Sequence, residues 1–160
     1  MGKPGLLLAL ITAAVSLSAC GPTASACPAI AQATAVSVTV SADYAPQISR
    51  LHLRACQDGA CKEADLELRP GSASIDQGCA AEVCSATASP DGTKVGILML
   101  ETLTESPMAL TASGMATDRS ALPVRTLDFH PQAAYPFGEQ CGKVVSASVT
   151  LDSSGLHPRT

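Results

Sequence analysis

After residue 20 the chain has almost no helical periodicity; its apolar residues recur every second position in short runs broken by Gly, Pro, Asp and Ser. That period of two is the strongest constraint on the fold, because it places alternate side chains on opposite faces of an extended strand. Ala35 to Ser41 carries Val36, Val38 and Val40 between small or hydroxylated residues. Ile48 to Ala55 sets Leu51 and Leu53 against Arg50, His52 and Arg54, and Ala64 to Leu68 sets Leu66 and Leu68 against Asp65 and Glu67. Val83 to Ala88 is a weaker strand ending at the turn signal Ser89-Pro90-Asp91-Gly92. Thr93 to Leu103 is the most apolar run and reads as a central strand. Pro107 to Ala112, Leu122 to Phe129 and Val144 to Leu151 complete the set. About eight short strands with turns between them predict an all-β domain, an antiparallel β-sandwich of Ig-like or fibronectin-like architecture. The chain lacks the buried Trp of true Ig domains, since it contains no Trp at all.

Aromatic residues are confined to Tyr44, Phe129, Tyr135 and Phe137. Such rings normally supply the largest buried areas, so a core of Val, Leu, Ile and Ala needs support from elsewhere. The 7 cysteines offer it, although an odd number leaves one unmatched. Cys56 and Cys61 flank Gln57-Asp58-Gly59-Ala60, whose Asp-Gly pair is a hairpin signal. Cys79 and Cys84 are separated in the same way. Across such a turn the Cα separation suits a disulfide.

The N-terminal stretch accounts for the odd cysteine. Lys3 precedes an apolar segment, Leu6 to Leu17, too short for the roughly 20 residues that span a bilayer. It ends in Leu17-Ser18-Ala19-Cys20, which resembles the lipobox of bacterial lipoproteins. The resemblance implies that residues 1–19 are a signal peptide and that Cys20 becomes the lipid-bearing first residue of the mature chain. Two acyl chains on one cysteine suffice for stable anchoring, at roughly 0.8 kcal/mol per buried methylene. Residues 20–26 then form the lipidated cysteine and a short tether, whose six residues after Cys20 reach about 20 Å at most. Gly21 carries no acidic sorting cue. With Cys20 set aside, Cys27, Cys56, Cys61, Cys79, Cys84 and Cys141 form an even set in an oxidising compartment. Six cysteines allow about 15 connectivities. If the two spacing pairs form, Cys27 and Cys141 pair by elimination, tying the start of the domain to its last strand.

The segment Tyr135-Pro136-Phe137-Gly138-Glu139-Gln140-Cys141-Gly142, and Cys27-Pro28-Ala29-Ile30, are similar to patches in small uncharacterised actinobacterial surface lipoproteins. The resemblance supports the fold and the Cys27–Cys141 pairing but implies no activity. One domain, 27–160, is expected, with a frayed C-terminal tail.

The chemistry-bearing residues are sparse. The formal charge is −4 with the basic residues scattered among acids, so neither nucleic acid nor anionic lipid finds a basic patch. The C-x4-C pairs are potential metal ligands, but their compartment and gaps favour disulfides. His52, His130 and His157, with Met99, Met108 and Met115, sketch a soft copper site without any local ligand spacing. No G-x-S-x-G elbow, S-x-x-K motif, phosphate loop, dinucleotide fingerprint or EF-hand is present. A thioredoxin-like motif is likewise missing. The expectation is therefore a non-enzymatic, lipid-anchored domain on the extracytoplasmic face of the cell membrane. It requires no cofactor, and its partners are the plasma membrane and other envelope proteins or wall components. A copper-handling domain is the alternative and a hydrolase the third reading. The expected contact regions are Leu103 to Pro107 and Phe129 to Gly138, the second concentrating Phe129, Tyr135 and Phe137 as candidate binding anchors. The competing use of these rings is to cover one end of the core.

Overall fold

A computed structural model describes residues 27–29, 32–80 and 83–159. Cys20 and its tether lie outside the described residues. Among the described residues ten strands form in chain order: β1 (Ala35–Val40), β2 (Ile48–Gln57), β3 (Ala60–Leu66), β4 (Arg69–Ala80), β5 (Val83–Met99), β6 (Met108–Ala116), β7 (Arg125–Phe129), β8 (Gln132–Ala134), β9 (Val144–Leu151) and β10 (Leu156–Pro158). They make two sheets. One has the order β10-β9-β1-β5-β4, with β8 also paired to β9, and the other β3-β2-β6-β7. The chain thus alternates between sheets: β2 and β3 in one, β4 and β5 in the other, β6 and β7 back again.

The alternation of the sequence becomes the inside and outside of these sheets. Val36, Val38 and Val40 of β1 are fully buried, as are Leu51 and Leu53 of β2, while Arg50 and Arg54 face out. Ala147, Val149 and Leu151 of β9 join Leu98 in the first sheet's share of the core. Met108, Leu110 and Ala112 of β6 and Leu66 of β3 complete the second sheet's share. Both inner faces contribute to one hydrophobic cluster, in which Tyr44 is the only buried aromatic residue. Each aliphatic side chain so buried contributes about 1.5–3 kcal/mol. Close approach of the sheets needs Gly96: a Cβ there would lie 2.9 Å from Leu66 Cδ1. Two residues earlier in β5, the Lys94 ammonium donates to the Ile48 carbonyl at 2.9 Å, linking the two sheets by a polar contact.

Five expectations are corrected. The sheets are not purely antiparallel, because β1 runs parallel to β9 from Val36↔Ala147 to Val40↔Leu151. The turn signal Ser89-Pro90-Asp91-Gly92 does not divide two strands; β5 runs through it. The register moves from Pro70↔Lys94 to Ser72↔Pro90, so the extra residues form a bulge. Gly92 takes φ 81°, and the Asp91 carboxylate accepts from the Thr93 backbone N–H and hydroxyl. Pro90 is tolerated because the β1–β5 pairing stops at Lys94, so at Pro90, which pairs with Ser72, β5 has β4 as its one neighbouring strand. The apolar run expected over Thr93 to Leu103 does lie within a sheet, between β1 and β4, but its strand stops at Met99 and its outer face is open, with Ile97 and Met99 more than half exposed. Two strands, β4 and β8, form where no strand was expected.

The C-terminal tail is not frayed. Leu156 to Pro158 pairs with β9, Leu156 is buried, and Arg159 donates its backbone N–H to Ser148. The Asp152 carboxylate makes that reversal possible by accepting from the Ser154 and Gly155 backbone N–H groups.

Three disulfides close the framework: Cys27–Cys141, Cys56–Cys61 and Cys79–Cys84. The Cys56–Cys61 bridge spans the β2–β3 hairpin, where Asp58 and Gly59 both take positive φ, as an Asp-Gly hairpin turn requires.

Candidate binding surface

Strand direction assembles one end of the molecule from distant parts of the chain. Ala35 opens β1 opposite Met99, where β5 leaves, and β9 enters alongside β1. In the other sheet, Gln57 at the end of β2 faces Met108 at the start of β6, which faces Phe129 at the end of β7. The loop 100–107 joins these edges. Gln57 holds it through three contacts: its side-chain amide donates to the Thr104 and Ser106 carbonyls at 3.0 and 2.7 Å, and its carbonyl accepts from the Thr104 N–H at 3.0 Å. Thr104 in turn donates its hydroxyl to Asp58 in the β2–β3 turn.

The two regions expected to make contacts meet here. Lys143, just before β9, forms an ion pair with Glu105, which holds the Lys143 ammonium above its ordinary pKa. His130 Nδ1 lies 3.1 Å from the Glu105 carbonyl oxygen. The Cys27–Cys141 bridge closes the same end. Beside the loop lies a hollow of about 130 Å³ lined by Ala55, Gln57, Cys61, Lys62, Glu101 and Met108. Its volume falls short of the roughly 300 Å³ at which small-molecule sites begin.

The three candidate rings separate. Phe129 packs against the hydrophobic core, so it closes one end of the apolar interior and is not an exposed anchor. Tyr135 and Phe137 do project, with 50% and 37% of their surface exposed. A compact turn holds them: Gly138 N–H donates to the Tyr135 carbonyl, Cys141 N–H to Gly138, and the Gln140 side chain to Phe137. Sequence reading found the segment but could not apportion the rings, because burial of Phe129 depends on its partner Met108, 21 positions earlier.

A second feature escaped the sequence reading. Beyond Lys94, β4 and β5 have only each other as neighbours, forming an arm from Ser72 to Asp91. Every described residue from Ser72 to Gly92 is exposed except Ser89, which is half-buried. An isolated two-stranded hairpin is marginal in water, and here Cys79–Cys84 clamps it near its tip. Gly71 marks the base, where a Cβ would fall 1.9 Å from Thr93 Oγ1. The available signal was the cysteine pair itself, a staple with no apolar alternation to need it.

The metal and hydrolase readings find no shared geometry. The six described cysteines are all in bridges, and no group of three or more His, Cys, Asp or Glu among the described residues could hold a metal ion. Met99 is exposed on one sheet, whereas Met108 is buried in the other. His52 pairs with Asp65 across β2 and β3, and His130 with a backbone carbonyl. His157 does meet a serine and an aspartate: Nε2 lies 2.9 Å from Ser154 Oγ and 3.3 Å from Asp152. Ser154, however, donates to Asp152 at 2.5 Å, and both groups address the same ring nitrogen. A catalytic triad places the carboxylate on the opposite nitrogen from the nucleophile. This cluster caps the β9–β10 turn and holds the Asp152 carboxyl down to about 2, chiefly through the Ser154 hydroxyl.

No protein-family model matches the chain, and comparison with curated proteins and with solved structures returned no match either. Among the described residues no helix is long and apolar enough to cross a membrane.

Proposed function

We propose that this chain is an extracytoplasmic lipoprotein: an Ig-like β-sandwich, non-enzymatic, held at the cell membrane through Cys20 and presenting its surfaces to envelope proteins or wall components. The observation that carries this reading is the pairing of cysteines. The six that follow the lipobox bridge among themselves, which leaves Cys20 as the seventh. Bridges of this density belong to oxidising compartments outside the cytoplasm. The sandwich is supported by two sheets whose inner faces share one core, with hairpins passing alternately between them. It departs from antibody-type domains in lacking both the core Trp and an inter-sheet disulfide. The binding role rests on the arm and the exposed ring pair, both of which expose surface that the domain's own core does not use.

The test combines acyl labelling with fractionation. The full chain expressed in a bacterium should incorporate labelled fatty acid and sediment with membranes. Cys20→Ala should abolish both. Labelling that persists in the variant, or membrane association unchanged by it, overturns the anchored reading.

A further inference from the structure

We infer that Tyr135 and Phe137 rest in the phospholipid interface beside the anchor, and that this seating points the β4–β5 arm away from the membrane. The inference rests on the anchored reading proposed above.

Three observations lead to it. The first is the path of the chain. The six residues between Cys20 and Cys27 reach about 20 Å at most, and Cys27 is bridged to Cys141. The lipid attachment is therefore leashed to the turn that carries Tyr135 and Phe137, the latter four residues before the bridge. No other exposed aromatic side chain exists in the chain, since Tyr44 is buried and Phe129 packs on the core.

The second is the chemistry of the rings. A tyrosine side chain is retained at the level of the headgroups, where its apolar body meets acyl chain and its hydroxyl meets water, and a phenylalanine ring beside it adds apolar surface to bury. The rings are held on a bridged turn rather than a loose loop, so seating them orders little further chain. The charges that follow the rings in sequence are Glu139 and Lys143, and Lys143 is paired to Glu105. With an acid unpaired and no basic cluster, the surface suits zwitterionic lipid and gains nothing from anionic lipid.

The third is polarity. β5 leaves the first sheet at Met99, on the bridged end, and its opposite terminus, Val83, lies at the arm tip. Its 17 residues put that tip roughly 50 Å along the strand from Met99. An aromatic end seated on lipid thus sends the stapled tip outward, beyond the span of the tether.

Because the chain contains no Trp, single substitutions give unambiguous optical probes. The lipidated full-length product would carry Phe137→Trp, Tyr135→Trp or Val83→Trp and be reconstituted in phosphatidylcholine vesicles with or without brominated acyl chains. Vesicle flotation reports anchoring separately from emission. The expected result is flotation of all three, with strong bromine quenching and a blue shift for the probes at 135 and 137, and unchanged emission at 83. Flotation without quenching at either 135 or 137 overturns the seating while leaving the anchor intact. Quenching at 83 overturns the orientation. Failure of all three to float removes the anchored reading and this inference with it. Tyr135→Trp guards against a fold defect peculiar to position 137, since the two rings occupy the same turn.

Discussion

Replacing Cys27 and Cys141 together by Ser should cost this domain far more than removing either of the other two bridges. The bridge joins residues 114 apart in sequence, whereas Cys56–Cys61 and Cys79–Cys84 each span 5. In the chain-entropy model a cross-link stabilises by restricting the unfolded chain, and its effect grows with the logarithm of the loop it closes. The long loop corresponds to about 5 kcal/mol at 25 °C and the Cys56–Cys61 loop, which lies in the body of the domain, to about 2. The difference, about 3 kcal/mol, is a large share of the roughly 5–15 kcal/mol that holds a domain together. The native side reinforces the contrast. Cys56 and Cys61 sit at the end of a hairpin already fixed by register from Leu51↔Leu66 to Gln57↔Ala60, so their loss leaves geometry that backbone pairing maintains. Cys27 precedes β1, and its bridge ties that segment to Cys141 at the far end of the sequence. Equilibrium urea unfolding of the chain carrying Cys20→Ala, with and without each cysteine pair, measures these costs. Opening the long loop should also raise the denaturant slope, because the unfolded ensemble expands. A loss for Cys27/Cys141 no greater than that for Cys56/Cys61 would refute the argument from loop length.

The remaining predictions concern the arm, the core and pH. Removing Cys79 and Cys84 should leave the urea midpoint nearly unchanged, because the arm makes no core contacts and can open without global unfolding; limited proteolysis should then cut within residues 72–91. Leu53→Ala, at a fully buried position, should cost about 2–5 kcal/mol in the same assay. Gly71→Ala puts a Cβ 1.9 Å from Thr93 Oγ1 and should cost about 1–3 kcal/mol, with loss of amide protection at the arm base. Asp152 is a carboxylate whose folded pKa is depressed from 3.8 to about 2. Its stabilising effect is therefore complete above the unfolded value and is lost as pH falls from there toward the folded value. Asp152→Asn should lower the melting temperature near neutral pH, and the difference from the unsubstituted chain should shrink across that acid window.

Much of the β architecture was already legible in residue order. Alternation along β1, β2 and β9 named the buried side correctly, because a strand's two faces are set locally by its pleat. The same locality made the Asp58-Gly59 hairpin readable, together with its disulfide. Local information failed at Ser89-Pro90-Asp91-Gly92. Those residues favour a turn on their own, but a long partner strand and Gly71 beneath them turn the same residues into a bulge. It failed again at Leu156 to Pro158, too short to show a period, whose pairing is imposed by β9 and by the Asp152 cap.

By itself, then, the order of residues determined the all-β class, the inner faces of β1, β2 and β9, the short-range disulfides and the lipobox motif. Each of these depends on neighbours a few positions apart. Only the tertiary structure decided that β1 runs beside β9 in parallel, that Phe129 turns inward while Tyr135 and Phe137 face out, and that loop 100–107 meets Lys143 and His130 at the bridged end. These outcomes depend on contacts between residues far apart in sequence, and which of two apolar rings is covered is settled by whatever strand arrives to cover it. The arm belongs to the same class: its exposure follows from where β1 stops at Val40, opposite Lys94, a boundary that nothing within residues 72–91 records.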